Sequence, residues 1–331
     1  MRKTLFILSI CLMALVSCSR KELLEPGHHH GSEIKIRINE AVDREENPDV
    51  YFDSEYYGNL IGRSNSLTVV AYPKDLNGTY QVHRLDAISG SIWLLPGEYD
   101  LLIYTSDFNE LDGVFYRGME TQMTAEAYTN QAKAKDTKET KDAIDSESKT
   151  ESKSEVKSIQ MDTPDPLFSR LFMNFKVSKR DTTLTANLHP QSYRYWFEVD
   201  VEGLEYISAA YLEIAGMYTT VFMADGSHRD DEYGRQQILT TIHPTENKIK
   251  GEFFSFGPHQ REDVDHSMLI TFINGRTIRV NLDDSTPAIK KLTRGGEIVI
   301  EQKIVINVDD TGAGFVPDVE DWEDIEIEIP I

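Results

Sequence analysis

The feature that most constrains this chain is a two-residue hydropathy period that recurs in short bursts. Ile34, Ile36 and Ile38 alternate with Lys35 and Arg37, and Tyr195, Phe197, Val199 and Val201 alternate with Glu198, Asp200 and Glu202. Successive side chains of a strand point to opposite faces, so such runs describe half-buried strands. The bursts are punctuated by turn chemistry. Leu67–Tyr72 stops at Pro73, Asn77-Gly78 leads into Thr79–Leu85, and Ser91–Leu95 ends at Pro96-Gly97, which suits a type II turn. In the second half, Ala209–Ile214, Tyr218–Met223, Gln237–Ile242 and Gly251–Phe256 repeat the pattern. Met268–Ile273 and Thr277–Leu282 then flank Asn274-Gly275, the strongest hairpin signal in the chain. Glu297–Val308 reads as one long strand, and Ile325, Ile327, Ile329 and Ile331 as a last one. Short strands separated by such turns predict an all-β fold built of sandwiches or barrels.

One stretch breaks the period. Residues 133–157 hold seven lysines and seven acidic residues, and no aromatic lies between Tyr128 and Phe168. A segment polar on every side has nothing to bury and is expected to be a solvated linker. The organisation read from this is residues 34–125 as an N-terminal β-sandwich, 126–163 as a charged linker, and 164–331 as a C-terminal β-sandwich with an acidic terminal strand.

The N-terminus is of another kind. Arg2-Lys3 precede an apolar run from Leu5 to Val16, which is the layout of an export signal. Twelve apolar residues are too few to cross a hydrocarbon core, which takes about 20. Leu15-Val16-Ser17-Cys18 resembles the lipobox of bacterial lipoproteins. The resemblance implies that residues 1–17 are removed and that Cys18 carries lipid, with 18–33 as a tether and the outer membrane as the lipid partner. The two cysteines are Cys11 and Cys18, so processing would leave no thiol for a disulfide, a zinc site or a nucleophile. A net charge of −22 opposes binding to nucleic acid or anionic lipid.

Catalytic and metal signatures are weak. His28-His29-His30 are adjacent, so in extended chain they point apart, and no other ligand follows at metal spacing. Asp310-Thr311-Gly312 resembles an aspartic-protease turn, but that chemistry needs a second carboxylate from a second turn, and the chain has no second copy. The tail acids Asp318, Glu320, Asp321, Glu323 and Asp324 do not follow a calcium-loop spacing. No catalytic residue, metal site or cofactor other than lipid is expected, and the chain is read as a non-enzyme. Trp93, Trp196 and Trp322 are candidate aromatic contacts, which keeps a glycan-binding lipoprotein of a polysaccharide-uptake system as the alternative.

Several longer motifs join the lipobox. They are Leu94-Leu95-Pro96-Gly97-Glu98-Tyr99-Asp100-Leu101-Leu102-Ile103-Tyr104, Val201-Glu202-Gly203-Leu204, Tyr211–Met217, Phe253–Gly257, and Gly314–Trp322 at the close. Together the chain resembles the fimbrillin-like lipoproteins of anaerobic Gram-negative bacteria. The resemblance implies two transthyretin-like sandwiches and a structural or adhesive role as fimbrial anchor, tip or accessory subunit on the cell exterior. It also implies strand addition between fimbrial subunits, with Ile325, Ile327, Ile329 and Ile331 as a donor strand and Arg37 or Arg44 as sites of proteolytic processing. The alternative for residues 325–331 is a strand that completes its own sheet.

Overall fold

A computed structural model describes residues 31–39, 54–74, 79–107, 113–130, 160–260, 266–282, 286–308 and 315–319. The fold is all-β. In the first half, β1 (Ser32–Asn39) lies between β10 (Thr182–Asn187), which it pairs in parallel, and β4 (Ser89–Leu94), which it pairs antiparallel. A second sheet runs β11 (His189–Pro190), β9 (Phe168–Val177), β5 (Gly97–Asp107), β2 (Ser66–Pro73) and β3 (Gln81–Leu85). Ile34, Ile36 and Ile92 from one sheet meet Leu67, Val69, Leu101, Ile103 and Phe168 from the other in a closed apolar core.

In the second half, β12 (Tyr193–Glu202) pairs antiparallel with β17 (Lys248–Ser255) and in parallel with β20 (Gly296–Val299) and β21 (Ile304–Val308). The facing sheet is built on β13 (Ile207–Tyr218), flanked by β15 (Tyr233–Leu239) and β18 (His266–Phe272). Tyr195, Phe197, Val199, Leu212, Ile214, Met268 and Ile270 fill the space between them. The alternation read from residues 195–201 is therefore the core face of β12.

A small third sheet joins the halves: β6 (Phe115–Arg117), β7 (Glu126–Tyr128) and β14 (Thr220–Phe222). It lies over the outer face of the second sheet, where Val70, Tyr72, Leu102 and Tyr104 pack against Ala127, Val221 and Met223. Both faces of β2 are thus buried, which is why Leu67–Tyr72 is a continuous apolar run without alternation.

Several boundaries differ from the sequence reading. Residues 168–190 were assigned to the second sandwich, yet β9 and β10 pair with β5 and β1 of the first. The proposed linker 126–163 begins and ends in folded strands. Glu126 and Ala127 are buried in β7, Met161 is buried in β8 (Gln160–Met161), and the Asp162 amide donates to the Asn130 carbonyl at 3.1 Å. The charged stretch leaves and returns at one place, so it is an insertion in the fold and not a divider of it.

The turns also differ from those expected. A type II turn at Pro96-Gly97 needs a positive φ at Gly97, which is not among the positive-φ glycines. The corner instead carries the chain from one sheet to the other, held by the Tyr99 hydroxyl donating to the Leu95 carbonyl at 2.9 Å. The Asn274-Gly275 hairpin forms between β18 and β19 (Thr277–Asn281), but only Gly275 has positive φ, at 85°, so the loop is not the two-residue type I′ form. The expected strand Glu297–Val308 is two strands, because β12 advances three residues from Glu198 to Val201 while its partner advances five from Val299 to Ile304. Before β2 the chain forms a helix that hydropathy did not signal, α1 (Ser54–Gly62), whose Tyr57 and Ile61 lie one turn apart and are buried.

Candidate functional site

Few of the sequence-predicted site residues fall in the described structure. Cys18, Arg44, Ile325, Ile327, Ile329, Ile331, His28–His30, Asp310 and the tail acids Glu320, Asp321, Glu323 and Asp324 lie outside the described residues, whereas Asp318 is on a described strand opposite Val305. Arg37 is described. It is exposed on β1, opposite Ser89 on one side and Thr185 on the other, so its peptide is paired from both edges. Ile34 and Ile36, on the opposite face, are 0% and 1% exposed. Trp93 is 47% exposed on β4, while Trp196 lies under the Arg194 guanidinium at 5.2 Å. Among the described residues no group of three or more His, Cys, Asp or Glu could hold a metal, and no helix is long and apolar enough to cross a membrane.

The structure builds a second site that the sequence did not indicate. Pairing of β7 with β14 sets Thr220 opposite Tyr128, and the Thr129 amide donates to the Thr219 carbonyl at 3.1 Å. The Thr219 amide in turn donates to the Glu232 carbonyl at 3.1 Å, which ties the loop after β14 to the small sheet. These contacts enclose an open cleft of about 630 Å³, bordered by Tyr128, Thr129, Asn130, Thr220, Asp231 and Tyr233. Asn130 and Met161, described residues on either side of the charged stretch, both line it.

One wall is an ion cluster. Glu126, 1% exposed, accepts hydrogen bonds from Arg117 Nε and Arg229 Nε at 2.6 Å each. Arg117 Nη2 also donates to Glu232 Oε2 at 2.6 Å. Burial acts to lower the Arg117 pKa, but its hydrogen bonds to Glu126 and Glu232 together outweigh that and hold it above its ordinary value. Arg229 is raised by its hydrogen bond to Glu126. Four charged side chains from residues 117, 126, 229 and 232 thus satisfy one another around a buried carboxylate, as a buried charge requires.

Behind the cluster, His228 stacks on Tyr218 with ring centroids 4.1 Å apart and its Nδ1 lies 3.0 Å from the Thr220 carbonyl. Burial depresses the His228 pKa. The Thr129 and Thr220 side chains are the exception to this saturation. They are 6% and 2% exposed, and neither hydroxyl has a hydrogen-bond partner among the described residues. A buried hydroxyl without a partner costs about 1–3 kcal/mol, so the pair marks a place where polar capacity is left open.

A match to the domain of unknown function DUF5119 spans residues 17–235, about two thirds of the chain. The chain belongs to the DUF5119 family. The matched span contains every residue that borders the cleft, together with the first sandwich and part of the second. A curated relative, provisionally named fimbrium anchoring subunit Fim4B of Bacteroides ovatus, is 23% identical over 252 residues. That alignment covers 76% of this chain but 63% of Fim4B, so the DUF5119 chain spans less than two thirds of that relative's length. Among solved structures, a protein provisionally called an adhesin from Bacteroides ovatus superposes with a TM-score of 0.52 at 17% identity, over 82% of this chain and 89% of its own. The fimbrial anchor protein Mfa2 from Porphyromonas gingivalis aligns at 13% identity and a TM-score of 0.43, over 88% of this chain and 98% of its own. The fimbrillin-like resemblance carried by the sequence motifs is borne out, and the DUF5119 chain shares its all-β fold with the Bacteroides ovatus protein.

Proposed function

We propose that this DUF5119 protein is a non-enzymatic, lipid-anchored surface subunit of fimbrillin type that serves adhesion as a fimbrial anchor or accessory subunit. The observation that carries the reading is the place of β1. It is the first described strand after Cys18, it is the middle strand of its sheet, and its Ile34 and Ile36 sit in the first core. The path from Cys18 to Ser32 is about fourteen residue steps, or roughly 50 Å at full extension. A lipid on Cys18 would therefore hold the folded body close to the outer membrane. The name of the relative Fim4B, a fimbrium anchoring subunit, supports the same role.

A groove filled by the chain's own strand has no vacancy for a partner's strand, so strand addition at this site is closed while β1 stays. The protein would then offer a strand, with Ile325, Ile327, Ile329 and Ile331 as the donor side chains. Cleavage at Arg37 or Arg44 would sever the body from Cys18. Arg37 is paired on both edges, so a protease reaches it only after β1 opens. The uncut form is thus the anchoring form.

Protease shaving of intact cells, followed by blotting beside a Cys18→Ala strain, tests the proposal. The wild-type body should fractionate with the outer membrane and vanish on shaving, whereas Cys18→Ala should leave the membrane fraction. A wild-type body that survives shaving until the cells are broken would overturn the surface role.

A further inference from the structure

The sheet that holds β1 buries one face and leaves the other uncovered among the described residues. Ile34, Ile36 and Ile92 point into the first core, and the residues between them point outward. Lys35 stands between Thr183 and Ser91, and Arg37 between Thr185 and Ser89, all six of them exposed. At one end this cationic face gives way to apolar groups. Trp93, opposite Glu33, is 47% exposed, and Leu95, two residues on, is 46% exposed.

That end of the sheet is also where the tether arrives. A side-chain carbon at Gly31 would lie 3.0 Å from the Leu94 carbonyl oxygen, so the chain from Cys18 enters hard against the strand that carries Trp93. The Ser32 hydroxyl donates to the Ser178 carbonyl, which sets the exposed Lys179 and Arg180 at the same rim. Asp181 lies there too and accepts from the Glu33 amide at 3.2 Å. With Glu33, Asp181 and Asp86 in the turn before β4 as the carboxylates, the four cations leave this face net positive, on a chain whose net charge is −22. None of the four has an ion pair among the described residues, whereas Arg117, Arg194 and Lys248 elsewhere are each held by a carboxylate.

A body this acidic is repelled by an anionic surface in most orientations, within a Debye length of about 8 Å. The β1 face is the exception. A flexible tether of about fourteen residue steps spans about 20 Å on average, so it presents this rim to the lipid at high effective concentration and a weak contact suffices. We propose that this face docks on the phosphate headgroups of the membrane that holds the Cys18 lipid. Lys35, Arg37, Lys179 and Arg180 then meet phosphates, while Trp93 and Leu95 enter the interfacial layer, where an amphipathic ring is favoured. The inference rests on the lipid-anchored reading of Cys18 and gives the anchored body a fixed orientation.

The test uses lipidated protein purified from cells and reconstituted into vesicles of equimolar phosphatidylcholine and phosphatidylglycerol. The acyl chains are brominated near the headgroup, so bromine quenches any tryptophan in the interface. Flotation with the vesicles reports the anchor, and quenching reports the docked face. The wild type should float and be quenched. Trp93→Phe should float and lose about half or more of the quenching, Trp196 and Trp322 being the remaining tryptophans. Lys35→Glu combined with Arg37→Glu should float with a similar loss. Lys179→Glu with Arg180→Glu, in a loop, gives the same reading should the strand variant fold poorly. Protein that floats without quenching, or quenching unchanged in Trp93→Phe or in the folded charge-reversal variants, would overturn the docking and leave the anchor standing. Protein that does not float would overturn the anchor and the docking with it.

Discussion

Glu126→Gln tests how the two sandwiches are held together. The carboxylate is 1% exposed and accepts from Arg117 and Arg229 at 2.6 Å each, joining β6 and β7 to the loop that follows β14. A hydrogen bond to a charged group contributes about 1.5–3 kcal/mol, so two set an upper bound of roughly 3–6 kcal/mol. The guanidinium side reduces this. Arg117 and Arg229 are 42% and 45% exposed, and water supplies part of what the carboxylate gave them. The amide keeps one acceptor but turns a donor toward the other guanidinium. We therefore expect a loss of about 2–3 kcal/mol, below the ~3–5 kcal/mol of a fully buried pair. Thermal unfolding followed by circular dichroism should show a fall of about 4–12 °C, at roughly 2–4 °C per kcal/mol for a unit of 150–250 residues. Arg229→Gln alone leaves Arg117 on the carboxylate and should cost less. The double variant should cost less than the sum of the two, because both act on one contact. A loss below about 0.5 kcal/mol for Glu126→Gln, or strict additivity with Arg229→Gln, would refute the reasoning.

Other outcomes follow from the same geometry. Tyr57→Phe removes the hydroxyl that accepts from the Arg194 amide at 2.9 Å, and loss of this part-buried bond should cost about 0.5–1.5 kcal/mol in urea unfolding. Gly203→Ala combines a φ of 83° with a side-chain carbon 2.5 Å from the Ile306 carbonyl oxygen, so it should destabilise by at least ~1–3 kcal/mol and lower the unfolding temperature. Burial depresses the folded-state pKa of His228 below its ordinary 6.5. The unfolded chain then binds the proton more readily, so stability should fall as pH drops below about 6.5, until the folded pKa is passed. A scan of unfolding temperature from pH 8 to 5 should show this slope in the wild type, and His228→Phe should flatten it.

The sequence determined which residues form strands and which faces they bury. A two-residue period is a local property, and Ile34-Ile36 and Tyr195–Val201 declared their core faces without reference to any partner. It did not determine which strands pair. Phe168–Val177 and Thr182–Asn187 fall in the span expected to be the second sandwich, yet they complete the first, because pairing depends on contacts distant in sequence. The helix Ser54–Gly62 was missed because nine residues show little more than two turns of periodicity, and its stability comes from docking Tyr57 and Ile61 on the core. Arg117, Glu126, Arg229 and Glu232 are ordinary surface residues in sequence. Only the pairing of β7 with β14 makes them a cluster and leaves two threonine hydroxyls beside it without partners among the described residues. Hydropathy specifies a residue's environment one strand at a time, whereas a binding site is set by which strands the tertiary fold brings side by side.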